Sequence, residues 1–252
     1  MARIFITGDT HGGYKSGETK LKEFAKRYRF SKNDYLIIAG DFGFIWEDET
    51  DKKEKEWLDW FDNQKFTTLF IDGNHENFNR LDSYKFSYFC GGMAHKISKK
   101  VIHLLRGEIY EINGLRIFTM GGALSVDKYR RTLNVSWWKG EGITQEQISK
   151  AWEKLRQVDY KVDIVITHTC PRSVVKKVIN PRSSGKLEDI NMDILQGLCD
   201  NMKFRKWYFG HFHKNRKINS KFTCLYDDIE KINLKPRADF VPKFANLPRS
   251  IT

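Results

Sequence analysis

The chain has 252 residues, 40% hydrophobic and 14% aromatic, which supports a packed globular core and excludes a disordered or low-complexity polypeptide. Its formal net charge is +12, and residues 201–252 hold +8 of this, with twelve Lys and Arg against four Asp and Glu. Such a basic segment is either a solvated face or an attraction for a polyanion. Four cysteines stand apart with no Cys-x-x-Cys pair, as in a reducing cytosol. The opening "MARIFITGD" turns polar too soon for a secretory signal, and no run approaches the ~18–20 apolar residues of a membrane span. These features point to a cytoplasmic protein with no membrane partner.

In chain order, "ARIFITGD" reads as a buried strand ending in a glycine turn, and residues 18–29 space Leu21, Phe24, Ala25 and Tyr28 as a helix. "DYLIIAGD" (34–41) is a second strand, "EKEWLDWFDNQ" (54–64) a helix with Trp57, Leu58 and Phe61 on one side, and "FTTLFIDGN" (66–74) a third strand. Strand and helix in alternation predict an α/β sheet with crossover helices. The rhythm then changes. "VIHLLRGEIYEI" and "LRIFTMGG" flank Asn113-Gly114, a strong hairpin signal. Thr144 with Gln147 forms a capping box for a helix over 144–158. "VDIVITH" (162–168) and "KWYFGH" (206–211) are two more buried strands, and "KFTCLYDDIEKINL" reads as a closing hairpin. No repeat or linker divides the chain, so 1–252 is expected to be one domain, with 236–252 a tail that wraps the surface.

The buried strands end alike: Gly8-Asp9-Thr10-His11, Gly40-Asp41, Gly73-Asn74-His75-Glu76, Thr167-His168 and Gly210-His211-Phe212-His213. Ligand sites in open α/β sheets lie beyond the carboxyl ends of strands. An isolated His-x-His is ordinarily a surface turn. Five such endings together converge carboxylates, an amide and imidazoles. Without thiolate, that oxygen and nitrogen set suits Mn²⁺, Fe, Zn²⁺, Ni²⁺ or Mg²⁺. A pair of ions about 3.5–4 Å apart needs a bridging carboxylate and several terminal ligands, which this inventory supplies.

The ordered series GDTH, GD, GNHE, TH and GHFH resembles the calcineurin-like metallophosphoesterases, the resemblance running from Asp9 to His213. It implies an α/β fold of two mixed β-sheets packed as a sandwich, flanked by helices, with a dinuclear metal centre at the strand ends. Carried over by position, Asp9, His11 and His213 bind one ion, Asp41 bridges, and Asn74, His168 and His211 complete the second site. Two divalent ions per chain are implied, Mn²⁺ being the first choice. His75 resembles the histidine that contacts the phosphate and protonates the leaving oxygen, while a hydroxide activated on the metals attacks phosphorus.

The second motif departs from the GDxxDRG of serine/threonine protein phosphatases. In "GDFGFIWED", Phe44 replaces the acid that orients the histidine and Ile45 the phosphate-binding arginine, leaving Glu47 or Asp48 as substitutes or as ordinary exposed acids. "GGALSVDKYRR" (121–131) resembles a GGAxSxDK segment of a bacterial and phage branch, and it offers Lys128 and Arg131 to substrate phosphate or else forms a solvated basic loop. The leading expectation is a phosphomonoesterase acting on a small phosphorylated molecule or a phosphoprotein. A phosphodiesterase or nuclease is the alternative, drawing on the basic segment and on Trp137-Trp138, which are otherwise packing residues. A non-catalytic scaffold would be expected to have lost ligands, and none is missing.

Overall fold

The computed structural model describes residues 2–14, 16–179, 189–238 and 240–243. Its elements are β1 (Ile4–Thr7), α1 (Ser16–Arg27), β2 (Tyr35–Ala39), α2 (Lys52–Asp62), β3 (Thr67–Ile71), α3 (Phe78–Ser83), β4 (Phe86–Phe89), β5 (Gly92–Lys96) and β6 (Val101–Leu104). There follow β7 (Glu108–Ile112), β8 (Leu115–Met120), α4 (Gln145–Gln157), β9 (Ile164–Thr167), α5 (Arg172–Val175) and α6 (Asn191–Asn201). The last strands are β10 (Lys206–Phe209), β11 (Arg216–Lys217), β12 (Phe222–Cys224) and β13 (Glu230–Lys231).

Two mixed sheets result, ordered β13-β1-β2-β3-β6-β5-β4 and β11-β12-β10-β9-β8-β7. The parallel run β1-β2-β3-β6 is apolar on both faces because each face is covered. Along β2, Ile37 and Ala39 join Leu69, Ile117 and Ile166 in the layer between the sheets, whereas Leu36 and Ile38 face outward onto Leu21, Phe24 and Phe61 of α1 and α2. A third layer packs Phe118, Val165 and Trp207 under α4 and α6 through Leu155 and Leu195. Helices thus cover both outer faces of a two-sheet sandwich, the expected fold class.

Asn113 and Gly114 turn β7 into β8 with φ of 54° and 74°, the left-handed pair a two-residue hairpin needs. Thr144 caps α4 with the full capping box. Two readings require correction. "VIHLLRGEIYEI" is not one flank of that hairpin: β6 belongs to the first sheet and β7 to the second, the chain changing sheets at Gly107, whose φ is 75°. Nor does "KFTCLYDDIEKINL" form a hairpin. β12 pairs with β10 and β11, while β13 pairs antiparallel with β1 across the sandwich. The Thr7 hydroxyl donates to the carbonyl of Asp228, and the Lys20 ammonium donates to that of Tyr226, drawing the connection toward the first sheet. Within the expected tail, Arg237 pairs with Asp163 at 2.9 Å, and the Lys243 amide donates to Glu111 at 3.0 Å. Positions 244–252 of that expected tail lie outside the described residues.

Candidate metal centre

The five strand endings meet at one edge of the sandwich. Asp9, His11, Asp41 and His213 bring ligand atoms within 4.8 Å of one another. His11 Nε2 and His213 Nε2 face each other at 3.0 Å, and His213 Nε2 lies 3.7 Å from Asp9 Oδ1. On the other side, Asn74 Oδ1 is 3.0 Å from His211 Nδ1, and the His168 and His211 rings pack edge to face at 5.1 Å. Asp41 stands between these groups: Oδ1 is 3.1 Å from His168 Nε2, and Oδ2 is 3.7 Å from His11 Nδ1. One carboxylate therefore lies against histidines of both halves. The same Oδ1 accepts the backbone N–H groups of Asn74 and His75 at 2.8 Å each, pinning the third motif to the second.

Backbone geometry is unusual here. Asp9, His11, Asp41, His211 and His213 all have positive φ, between 31° and 68°. Strained backbone of this kind persists only where its surroundings enforce it, and it gathers at functional sites. The glycines leave room for neighbouring ligands: a Cβ at Gly40 would overlap the His168 ring, and one at Gly73 would overlap Asp41.

The donor set fits a cationic occupant. Burial pushes the Asp9 carboxyl up to about 7, and it lowers His11 to about 4. Burial would also raise Asp41, but His168 and His75 hold that carboxyl well below the usual range. For His168 burial opposes charge, yet Asp41 lifts it to about 9, so positive charge is favoured at its Nε2. His168 Nδ1 lies 2.9 Å from the Ala39 carbonyl; donation there leaves the other ring nitrogen to face Asp41.

His75 lies beside rather than inside the cluster, half-buried, its ring edge to face with His11 at 5.0 Å. Burial lowers its pKa; Asp41 opposes this, and Arg131 adds to it. Phe44 and Ile45 are buried in the core, and the next side chain, Trp46, stacks against His75 at 6.2 Å and 28°. Glu47 and Asp48 are exposed, and the Glu47 carbonyl accepts from Arg80. Trp46 is braced edge-on by Trp138, which is buried; Trp137 is half-buried.

The segment 121–131 contributes more through Ser125 than through its cations. The Asn74 amide donates to the Ser125 hydroxyl at 3.1 Å, which donates to Glu141 at 3.0 Å, while the Ser125 backbone N–H donates to the other Glu141 oxygen at 2.7 Å. This buried chain fixes the Asn74 amide with its oxygen toward His211. Arg131 is held by Asp127 at 2.7 Å and by the Ser136 carbonyl at 3.1 Å, and Lys128 is exposed on the turn beside it. Several supporting residues carried little sequence signal. Glu76 accepts from the amides of Phe42 and Gly43, and buried Lys20 donates to the carbonyls of Gly8 and Asp9. Glu76 stands in a quoted motif and was legible as polar at a strand end; Lys20 sits in an ordinary helix pattern.

A cavity of about 400 Å³ adjoins the cluster, lined on one side by His11, His75 and His213, and on the others by Trp46, Tyr14 and Tyr226 with Glu47 and Asp51. Among the described residues, no helix is long and apolar enough to cross a membrane.

Comparison with known proteins agrees with this geometry. A lariat debranching enzyme from Schizosaccharomyces pombe is 21% identical over 255 residues, covering 86% of this chain. The alignment takes in 52% of that enzyme, so this chain spans about half the length of the relative it matches. The family model described as calcineurin-like phosphoesterase matches residues 2–215, from just before β1 to just past the last histidine of the cluster. The chain belongs to the calcineurin-like phosphoesterases.

Proposed function

We propose that the enzyme is a phosphomonoesterase for a small phosphorylated molecule, working with two divalent ions, Mn²⁺ first among them because the donors are oxygen and imidazole without thiolate. Asp9, His11 and His213 would hold one ion, Asn74, His168 and His211 the other, with Asp41 shared. When bound, the pair supplies Lewis-acid charge against the phosphoryl oxygens and lowers the pKa of a water nucleophile. His75 faces the cavity from beside the cluster and delivers a proton to the leaving oxygen. Arg131, whose charge His75 senses, and Lys128 next to it are outer contacts for the phosphate. The absence of a Cys-x-x-Cys pair among the four cysteines accords with a cytoplasmic location.

The observation that carries the monoester reading is the charge of the cavity rim. Among the described residues, Glu47 and Asp51 line it with Lys53 the one lysine or arginine, and Glu54 is already neutralised by Arg80 at 2.8 Å. A polyanion leaving the cluster along this cavity would meet net negative charge. A second reading, a phosphodiesterase, is favoured by a relative that is a debranching enzyme by name and by the exposed cations Lys214, Arg216 and Lys217 beyond His213. Rates on nitrophenyl phosphate and bis(nitrophenyl) phosphate, with purified Mn²⁺-loaded enzyme, decide between them. The monoester should be the faster substrate by at least tenfold in kcat/KM; faster cleavage of the diester would reverse the assignment.

A further inference from the structure

The cavity beside the cluster is lined by three aromatic side chains, Tyr14, Trp46 and Tyr226. Trp46 presents a rigid ring, stacked on His75 and braced by buried Trp138, and its carbonyl is tied by the Asn77 amide at 2.8 Å. Tyr226 is fixed as firmly: its ring stacks on His213 at 4.7 Å and 22°, its N–H donates to Asn215 at 2.7 Å, and its carbonyl accepts from Lys20. Tyr14 lines the same space and is 64% exposed. Aromatic walls held before any ligand arrives lose little freedom on binding. The volume of about 400 Å³ is of small-molecule size, within the roughly 300–1,000 Å³ usual for such sites. At its rim Glu47 and Asp51 accept hydrogen bonds, Asp51 through one oxygen already capping the Glu54 N–H, and with Lys53 the only lysine or arginine among the described lining residues the two carboxylates oppose further anionic groups.

From these features we infer that the cavity binds the organic half of the substrate, and that this half is a nucleoside: a planar base stacking on the aromatic walls, its ring N–H and amino donors directed to the carboxylates. The substrate is then a nucleoside monophosphate, with its single phosphate at the cluster. A sugar phosphate would leave the rings uncovered. A nucleoside polyphosphate or an oligonucleotide would bring additional negative charge toward the acidic rim. The inference rests on the phosphomonoesterase reading for its phosphate end but not for its base end, so the two can be tested apart.

The base end is tested without turnover. Adenosine and cytidine, lacking phosphate, are titrated into the metal-free protein while tryptophan fluorescence and calorimetric heat are followed. Saturable quenching is expected, weakened about tenfold in Tyr14→Ala and in Trp46→Ala, the order of effect of one stacked base; Trp46→Leu serves if Trp46→Ala does not fold. The phosphate end is tested by kcat/KM on adenosine monophosphate against glycerol phosphate with Mn²⁺-loaded enzyme. The ratio should favour the nucleotide at least tenfold and fall about tenfold in Tyr14→Ala. No nucleoside binding, with a ratio near one in every variant, overturns the nucleoside pocket and leaves the phosphatase assignment standing. Nucleoside binding without hydrolysis of any monoester supports the pocket and sinks the phosphatase assignment. A short oligonucleotide cleaved faster than the mononucleotide is hydrolysed overturns the restriction to a single phosphate.

Discussion

Ser125→Ala isolates what the buried chain from Glu141 to Asn74 does. The substitution removes one hydroxyl between two side chains that are themselves buried, so Asn74 Nδ2 loses its acceptor and one Glu141 oxygen loses its donor. An unsatisfied buried polar group costs about 1–3 kcal/mol, and in a chain of this size each kcal/mol lowers Tm by roughly 2–4 °C. A loss of about 2–12 °C follows from stability alone. The amide is also released to rotate. Its oxygen now lies 3.0 Å from His211 Nδ1 because its nitrogen is engaged on the opposite side. Loss of such an outer contact usually weakens metal affinity about 10–100-fold. The loss should fall on the ion proposed for Asn74, His168 and His211, leaving the one proposed for Asp9, His11 and His213 bound. Equilibrium dialysis against Mn²⁺ at graded concentration, followed by elemental analysis, should therefore show two classes of site in the variant. Glu141→Gln, which keeps an acceptor for the hydroxyl but loses the one for the Ser125 amide, should fall between it and the parent. Unchanged affinity at both sites alongside a lowered Tm would refute the orienting role and leave Ser125 as a packing residue.

Asp41→Asn should remove most bound metal while the chain still folds, because the carboxylate faces both halves of the cluster and the apolar layers do not depend on it; full occupancy by elemental analysis would contradict its shared position. His75→Ala should keep both ions yet lose about 10²–10⁴ in turnover, with a smaller loss on esters of acidic leaving groups; a uniform loss across leaving groups would dismiss the proton-donor role. Acid stability should report Asp72: burial alone would raise its carboxyl, but Arg106 and His103 hold it well below the usual range. Its stabilisation is therefore complete above the unfolded pKa of about 3.9 and lost as pH falls toward the folded value. The urea midpoint should drop steeply below about pH 4 in the parent and less steeply in Asp72→Asn. Arg106→Met should cost about 3–5 kcal/mol at neutral pH, measured by urea unfolding; a cost under 1 kcal/mol would show that the buried pair is not supporting the fold.

The residues legible in the sequence were those whose position follows from local pattern. Asp9, Asp41, Asn74, His168 and His211 each come within three residues of the end of an apolar strand, and strand direction alone sends them to the same edge. Illegible features depended on which distant segments meet. Ser125 and Glu141 are sixteen residues apart and touch only because an irregular loop folds back, which no periodicity records. Gly107 and the turn after Cys224 transfer the chain between sheets, and an apolar strand looks alike in either sheet. In "GDFGFIWED" it is the ring of Trp46, two residues past Phe44, that lies against His75, a contact no acid pattern records. The helix α6 carries a weak sequence signal because its short buried face, Met192, Leu195 and Leu198, has Gly197 and polar residues between.

The left-handed backbone at Asp9, His11, Asp41, His211 and His213 narrows the side chains these positions can carry, independently of any ion. Outside glycine, Asp, Asn and His are the residues most often found in that region, and branched or bulky ones are rare there. Asp→Asn at positions 9 or 41 consequently alters charge with little added backbone strain, whereas Asp→Glu both lengthens the ligand and moves to a residue less at home in the left-handed region. The polypeptide geometry thus acts as a filter on its own chemistry: a centre rebuilt with longer carboxylates or with valine-like spacers would fail at the main chain before coordination was ever put to the test.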